Sequence, residues 1–378
     1  MAATITEISI RGYKSIERLE RLPLRSMNVL VGPNGAGKSN LLGFLALVRE
    51  IETKRFQRYL RLGGGADAML HLGPTVSRQL TGQFRFGTAS YDFRLVPTSD
   101  NEFLFERENV GDTAVFDGPA ITWVSKPLSQ ESSLSGHVSG RVDVAEAEQI
   151  AADFHGAICC LTTYHFDGTS STALVRRWSP INDDEQLRPD ASNLAAFLHR
   201  IRSTHPAHLK QIRDVVRLAA PFFDDFKLRP IPTNPDMIQL EWTQLGTDYP
   251  FRPFQLSDGT LRFICLATAL LQPDPPAVMM FDEPELGLHP YALTLLAALF
   301  QQAAAGPSQI IVSTQSATLL NEFEAEDVIV VERANGASTF RRLDPSSLTE
   351  WLAEYALGDL WQKNVFGGQP MAEAGGPP

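Results

Sequence analysis

Gly32-Pro33-Asn34-Gly35-Ala36-Gly37-Lys38-Ser39 is the stretch from which the rest of this 378-residue chain is read. It fits the pattern G-x-x-x-x-G-K-[ST] and stands in the context that pattern requires. Before it, Met27–Val31 (MNVLV) reads as a short buried strand. After it, a helix is expected from Ser39 to about Arg61, with apolar residues at Leu41, Leu42, Phe44, Leu45 and Val48. Glycines let backbone N–H groups turn inward around phosphate oxygens, and the helix that follows points its positive end at them. Lys38 is placed to reach β and γ phosphates, and the Ser39 hydroxyl to ligate Mg²⁺. Gly32, Pro33, Asn34, Gly35, Ala36, Gly37, Lys38, Ser39 and Asn40 are therefore the candidate nucleotide-binding residues. A chance glycine-rich turn is the competing reading, and the strand and helix on either side weigh against it.

Two further segments supply what such a loop needs. Ala277-Val278-Met279-Met280-Phe281-Asp282-Glu283-Pro284 is an apolar run ending in two carboxylates. It reads as a buried parallel strand delivering them at its C-terminal edge. Asp282 is the candidate Mg²⁺ ligand, with Ser39, and Glu283 the candidate general base for an attacking water. Leu256-Ser257-Asp258-Gly259-Thr260-Leu261-Arg262 opens a helix 20 residues before that strand. Read alone, Ser257 is a helix N-cap.

Together these segments resemble the ABC-type ATPases, and within them the RecF/SMC-like branch. LSDGTLR resembles that group's LSxGxxR signature, FDEPELGLHP its carboxylate strand and following loop, and IRGYKSIE its opening segment. The likeness is good over residues 1–90 and 230–335. GGADAMLHLGP (64–74), YHFDGTS (164–170) and LGDLWQKNVFGGQP (357–370) are similar to pieces of stand-alone AAA/ABC ATPases related to the OLD-family head.

The resemblance implies an α/β P-loop NTPase head of ABC type. A mixed sheet flanked by helices would carry an antiparallel β lobe and an inserted helical lobe. The implied division is 1–95 and 233–348 for the two halves of the head, 96–232 for the insert, and 349–378 for a C-terminal extension whose end frays. It also implies ATP and Mg²⁺, and a homodimer formed on ATP binding. Nucleotide would be sandwiched between two heads, with Ser257 and Gly259 of one meeting the γ-phosphate held by the other. Arg11, Lys14 and Ser15 would lie near base or ribose; a strand turn with solvated charges is the even-handed alternative. Where the group usually carries a switch histidine, this chain has Gln315. A glutamine can hydrogen-bond a γ-phosphate or a water but cannot carry positive charge, so hydrolysis is expected to be slow. His165 occupies a place equivalent to the group's Q-loop, although a surface or core histidine is the simpler reading.

Composition narrows the setting. Hydrophobic residues make up 43%, enough for a substantial core, and the formal net charge is −11, which argues against a basic nucleic-acid coat. The charge is uneven. Residues 1–62 hold 11 Lys/Arg against 5 Asp/Glu, with Lys54, Arg58 and Arg61 expected on one helical face, and residues 199–229 hold 7 against 3. Either stretch is a candidate DNA contact, and a solvated helix face is the competing reading. Cys159, Cys160 and Cys265 show neither disulfide-scaffold nor metal-ligand spacing, consistent with the cytoplasm. No 18-residue apolar run or signal-peptide pattern is present, so no membrane contact is expected.

Ser257 follows Lys38 by 219 positions, and the stretch between them holds no heptad array, so no long coiled-coil arm is expected. No second catalytic module is legible after the strand 327–332, so effector chemistry is expected from a separately encoded protein. The leading function is an ATP-hydrolysing switch in DNA maintenance or anti-phage defence. The alternatives are a nucleotide-dependent assembly module with little turnover and, disfavoured by motif spacing, a transporter subunit.

Overall fold

The computed structural model describes residues 4–87, 89–112, 129–132, 158, 161–166, 168–170 and 172–369. Sixteen strands are named here in chain order. The first six are β1 (Glu7–Tyr13), β2 (Ile16–Pro23), β3 (Met27–Val31), β4 (Leu80–Phe86), β5 (Ala89–Pro97) and β6 (Phe103–Asp112). After them come β7 (Leu161–Tyr164), β8 (Ser179–Pro180), β9 (Phe223–Lys227), β10 (Pro230–Ile231), β11 (Asn234–Ile238) and β12 (Glu241–Gln244). The last four are β13 (Val278–Asp282), β14 (Gln309–Thr314), β15 (Val328–Ala334) and β16 (Ala337–Arg342).

A six-stranded sheet in the order β16-β15-β3-β14-β13-β7 forms the centre. Its inner pairings are parallel, and β16 closes one edge as the antiparallel partner of β15. Its inner strands β3 and β13 are almost continuously apolar because both faces are covered. Period-two alternation sorts their side chains into two cores. Met27, Val29, Val31, Met279, Phe281, Ile310 and Val312 enter one. Leu30, Val278, Met280, Ile311, Ile329 and Val331 enter the other.

The second core is closed by helix α1 (Lys38–Glu52) and by a five-stranded antiparallel sheet in the order β2-β1-β4-β5-β6. Phe44 of α1 stacks against Phe84 and Phe93 of that sheet. Two short helices, α2 (Phe56–Leu62) and α3 (Gly65–Met69), follow α1. The first core is closed by α4 (Leu194–Thr204), α5 (Pro206–Ala219), α6 (Asp258–Leu270) and α7 (Pro290–Ala304). Short helices α8 (Ala317–Leu320), α9 (Thr349–Leu352) and α10 (Leu357–Gln362) complete the chain. This is the mixed sheet, antiparallel lobe and helical lobe expected from the sequence. Leu95 lies within β5, so the division at 95/96 falls inside one strand of the antiparallel sheet.

Several local expectations are corrected. The helix from Ser39 does not reach Arg61. It stops at Glu52, and Lys54 turns the chain with φ 55° before α2 begins. Lys54 therefore shares no helical face with Arg58 and Arg61. The strand at 327–332 is not the last; β16 follows it through a turn at Asn335-Gly336. β2 was also unread, because a bulge against β1 breaks its two-residue alternation.

The segment after Asn364 does not fray at once. Phe366 is buried, Gly368 N–H donates to Glu332 Oε1 at 2.9 Å, and Trp361 Nε1 donates to the Gly368 carbonyl at 2.9 Å. The helix expected at 142–156, the strand residues AITWVS (120–125), and Cys159 and Cys160 lie outside the described residues, as does most of the serine-rich 127–141.

Candidate active site

The phosphate loop leaves β3 at its C-terminal edge. Two of its glycines answer to identifiable obstacles. A Cβ on Gly32 would run into the Val331 carbonyl of β15. A Cβ on Gly37, whose φ is 112°, would overlap the hydroxyls of Ser338 and Ser15. Those hydroxyls form a support beneath the loop. Ser338 Oγ donates to the Ala36 carbonyl at 2.5 Å and lies 2.6 Å from Ser15 Oγ. Asn40 Nδ2 donates to Ser15 Oγ at 2.6 Å, and Ser338 N–H donates to the Ser15 carbonyl at 2.7 Å. Ser338, on β16, was missed from sequence. It lies 302 residues from Ala36 in a segment with no motif.

Lys38 is folded over its own loop. Its Nζ donates to the Gly32 carbonyl at 2.7 Å and the Pro33 carbonyl at 3.1 Å, and the residue is only 4% exposed. Burial pushes its pKa down, while the charges of Glu283, Asp282 and Glu285 oppose that shift. Lys38 is thus a cation held between a phosphate loop and a carboxylate cluster.

The start of α1 has no side-chain cap and no acidic residue in its first turn. An uncapped N-terminus with a lysine beside it suits an anion, so a polyphosphate fits these residues. For Mg²⁺ the oxygen donors Ser39 and Asp282 suit a hard cation that takes its remaining ligands from phosphate and water. Among the described residues no group of three His, Cys, Asp or Glu could hold a metal by itself.

The carboxylates leave β13 beside the end of β14, and all three are hydrogen-bonded within Ser313-Thr314-Gln315. Asp282 Oδ1 accepts from the Ser313 hydroxyl. Glu283 Oε1 accepts from Gln315 Nε2. Glu285 Oε1 accepts from Thr314 Oγ1 at 2.7 Å and from Gln315 N–H at 2.8 Å. Glu283 itself sits at φ 48°, a left-handed backbone that is unfavourable for glutamate by about 1–3 kcal/mol. Its N–H donates to the Ser313 carbonyl at 3.0 Å, which ties that turn to β14. Glu285 was not singled out from sequence. Burial raises its pKa despite these hydrogen bonds.

The signature segment is built as a capped helix. Ser257 Oγ accepts from Thr260 N–H at 3.1 Å, and a Cβ on Gly259 would run into the Gly287 carbonyl. Two buried arginines fix its surroundings. Arg176 donates to Thr169 O at 2.7 Å, to Leu256 O at 3.2 Å, to Pro253 O and to Asp258 Oδ1 at 2.6 Å. Arg262 donates to Phe166 O at 2.8 Å and to Leu286 O. The segment is therefore wired to the insert lobe and to the loop after the carboxylates. Among the described hydrogen bonds none joins Ser257 or Gly259 to residues 32–40.

Residues 33–36 of the phosphate loop, Gln315, Glu332, Arg333, Ala334, Thr339, Trp361 and Gln369 line a cavity of about 710 Å³. Arg11 lines a different cleft, on the outer face of the antiparallel sheet, and pairs with Glu20 at 2.5 Å. Of the expected base or ribose group, Ser15 lies beneath the loop and Arg11 does not join it. His165 is exposed just beyond β7, the neighbour of the carboxylate strand.

Both basic stretches are partly paired with acids. In 199–229, Arg200, Arg213, Arg217 and Arg229 pair with Asp184, Asp214 and Asp225, Asp224 and Glu241 respectively. In 1–62, Arg11 and Arg18 pair with Glu20, Arg25 with Glu326, Arg55 with Glu50 and Arg61 with Glu102.

The family model described as "AAA domain, putative AbiEii toxin, Type IV TA system" matches residues 27–114 and 163–321. Two solved SMC heads are similar in fold. One, bound to the C-winged helix domain of ScpA, has a TM-score of 0.54 and 15% identity, over 92% of this chain and 99% of that one. The other, from Pyrococcus furiosus, has an extended coiled coil and is bound to the C-terminal domain of ScpA. It has a TM-score of 0.54 and 15% identity, over 93% and 99%. No curated protein matches the chain. The residues matched by the family model include the phosphate loop, the signature segment, both carboxylates and Gln315, and they span well over half of the chain, which therefore belongs to this AAA-domain family and has the α/β fold of an SMC-head-like P-loop ATPase.

Proposed function

We propose that the protein is an ATP-hydrolysing switch. The observation that carries this reading is the join between the carboxylate strand and β14. Asp282, Glu283 and Glu285 are hydrogen-bonded to Ser313, Gln315 and Thr314, beside a lysine folded on a phosphate loop. The uncapped start of α1 and the Gly37 turn receive the phosphates, and Lys38 moves from its loop carbonyls to their oxygens. Ser39 and Asp282 would hold Mg²⁺, which would supply positive charge to offset that of the phosphates. Glu283 takes a proton from water as its oxygen bonds to the γ phosphorus and the bond to the β-phosphate oxygen breaks, leaving ADP and phosphate. The Gln315 amide orients Glu283 but supplies no full charge, so turnover is slow.

In this reading two copies close around two nucleotides. Ser257 and Gly259 of one copy complete the phosphate site of the other, and closure moves the insert lobe. Effector chemistry comes from a separately encoded partner. SMC heads of the same fold are seen with a second protein, ScpA, and the family description speaks of toxins and toxin–antitoxin systems. Both support a role in defence or DNA maintenance that needs a partner chain. For DNA itself the candidate contacts are the N-terminal stretch and residues 199–229, each of which has several arginines paired with acids.

A nucleotide-dependent assembly module with little turnover is the second reading, favoured by Gln315 in place of a cationic side chain. Among the described residues no helix is long and apolar enough to cross a membrane. Phosphate release from ATP by the wild type and by Glu283→Gln decides between the first two. Loss of about 100-fold or more in the variant, with ATP still bound, supports hydrolysis. Equal and negligible release by both supports the assembly module.

A further inference from the structure

Glu285 is a half-buried carboxylate that the hydrolytic scheme above does not use. It lies two residues beyond Glu283, across Pro284. One oxygen, Oε1, accepts two hydrogen bonds from consecutive residues of β14's end, Thr314 Oγ1 at 2.7 Å and Gln315 N–H at 2.8 Å. The other, Oε2, is buried with no hydrogen-bond partner. Thr314 Oγ1 in turn accepts from Ser316 N–H at 3.0 Å, and Ser316 Oγ caps α8 by accepting from Leu319 N–H at 3.1 Å. The carboxylate thus anchors a chain of bonds that fixes the backbone of 314–316. From that backbone the Gln315 side chain reaches Glu283 Oε1.

We infer that Glu285 is a positioning residue, a neutral-competent acceptor that clamps the Thr314–Gln315 turn so that the Gln315 amide holds Glu283 in its working orientation. The inference rests on the hydrolytic reading of Glu283. It assigns Glu285 no contact with water, metal or phosphate. Its used oxygen is saturated by two donors, and its other oxygen is enclosed. What the site needs from it is an acceptor at Oε1, not a charge. An amide oxygen can fill that place, whereas an aliphatic side chain leaves the Gln315 N–H and the Thr314 hydroxyl without their acceptor.

The experiment compares wild type with Glu285→Leu and Glu285→Gln in the full chain. It measures ATP turnover, affinity for a fluorescent ATP analogue, and hydrogen exchange of a peptide spanning 314–316. In Glu285→Leu turnover should fall about 30-fold, with affinity within about threefold of wild type and protection of the Gln315 amide lost. Glu285→Gln should restore turnover to within about threefold of wild type and restore the protection. The inference is overturned if Gln is as inactive as Leu, which would mean that the charge itself is required, or if Leu keeps both turnover and protection. If the wild type releases no phosphate, the hydrolytic reading fails separately. The exchange pattern then still decides the clamp, which stands if Leu alone loses protection and falls if it does not.

Discussion

The end of the central sheet and the helical lobe solve opposite problems with the same residue types. At the sheet's end, polar groups are bonded across great distances in sequence. Ser338 meets Ala36 over 302 residues, and Thr314 meets Glu285 over 29. In the lobe, Arg217 meets Asp224 over 7 residues and Arg213 meets Asp225 over 12. The first kind of bond sits on a buried frame and sets a catalytic geometry. The second lies at a half-exposed surface, where solvent competes and an ion pair contributes about 1 kcal/mol or less. Function is therefore expected to be sensitive at the sheet's end and forgiving along α5, although both regions are rich in charge.

The strongest way to break the comparison is Gly37→Ala. The methyl group would occupy the space of the Ser338 and Ser15 hydroxyls, at a φ of 112° that alanine avoids. Affinity for ATP should fall about 100-fold or more, close to 2.7 kcal/mol, as read by titration with a fluorescent analogue. A fall of less than about threefold would show that the loop is not held from below. At the other extreme stands Arg217→Ala on α5. It removes a pair whose side chains are each 36% exposed. The melting temperature should drop by about 2 °C or less and turnover should stay within about twofold of wild type. A larger loss of turnover would make the lobe part of the site and erase the contrast.

The same contrast explains what the sequence could disclose. β3, β13, β14, α6 and α7 were legible because each is an apolar run next to a motif or a cap, and both cores follow from their alternation. The phosphate loop and the carboxylate pair were legible as patterns. The support beneath them was not. Ser15, Ser338 and Glu285 are ordinary polar residues until folding brings them to the loop or to β14. The break after Glu52 was hidden because α2 resumes the helical periodicity, with Phe56 and Leu60 buried, after a turn carried by one left-handed lysine. β16 was hidden by its composition: ASTFRR has little apolar content, as suits an edge strand. Arg176 was hidden because a buried arginine is unusual. It is kept here by three carbonyls and Asp258.

The cysteine at 265 illustrates burial without function. It is 1% exposed and its thiol is pushed up to about 12 by desolvation, so it is a core residue of α6 rather than a nucleophile.

The central claim is that this head works by closing on a second copy around ATP. Size-exclusion chromatography with light scattering on Glu283→Gln, with ATP and Mg²⁺ and again with Lys38→Ala added, tests it most directly. The account predicts a dimer that forms with ATP, persists because hydrolysis is blocked, and disappears when Lys38 is also replaced. A monomer at saturating ATP, or a dimer indifferent to both nucleotide and Lys38, would contradict it.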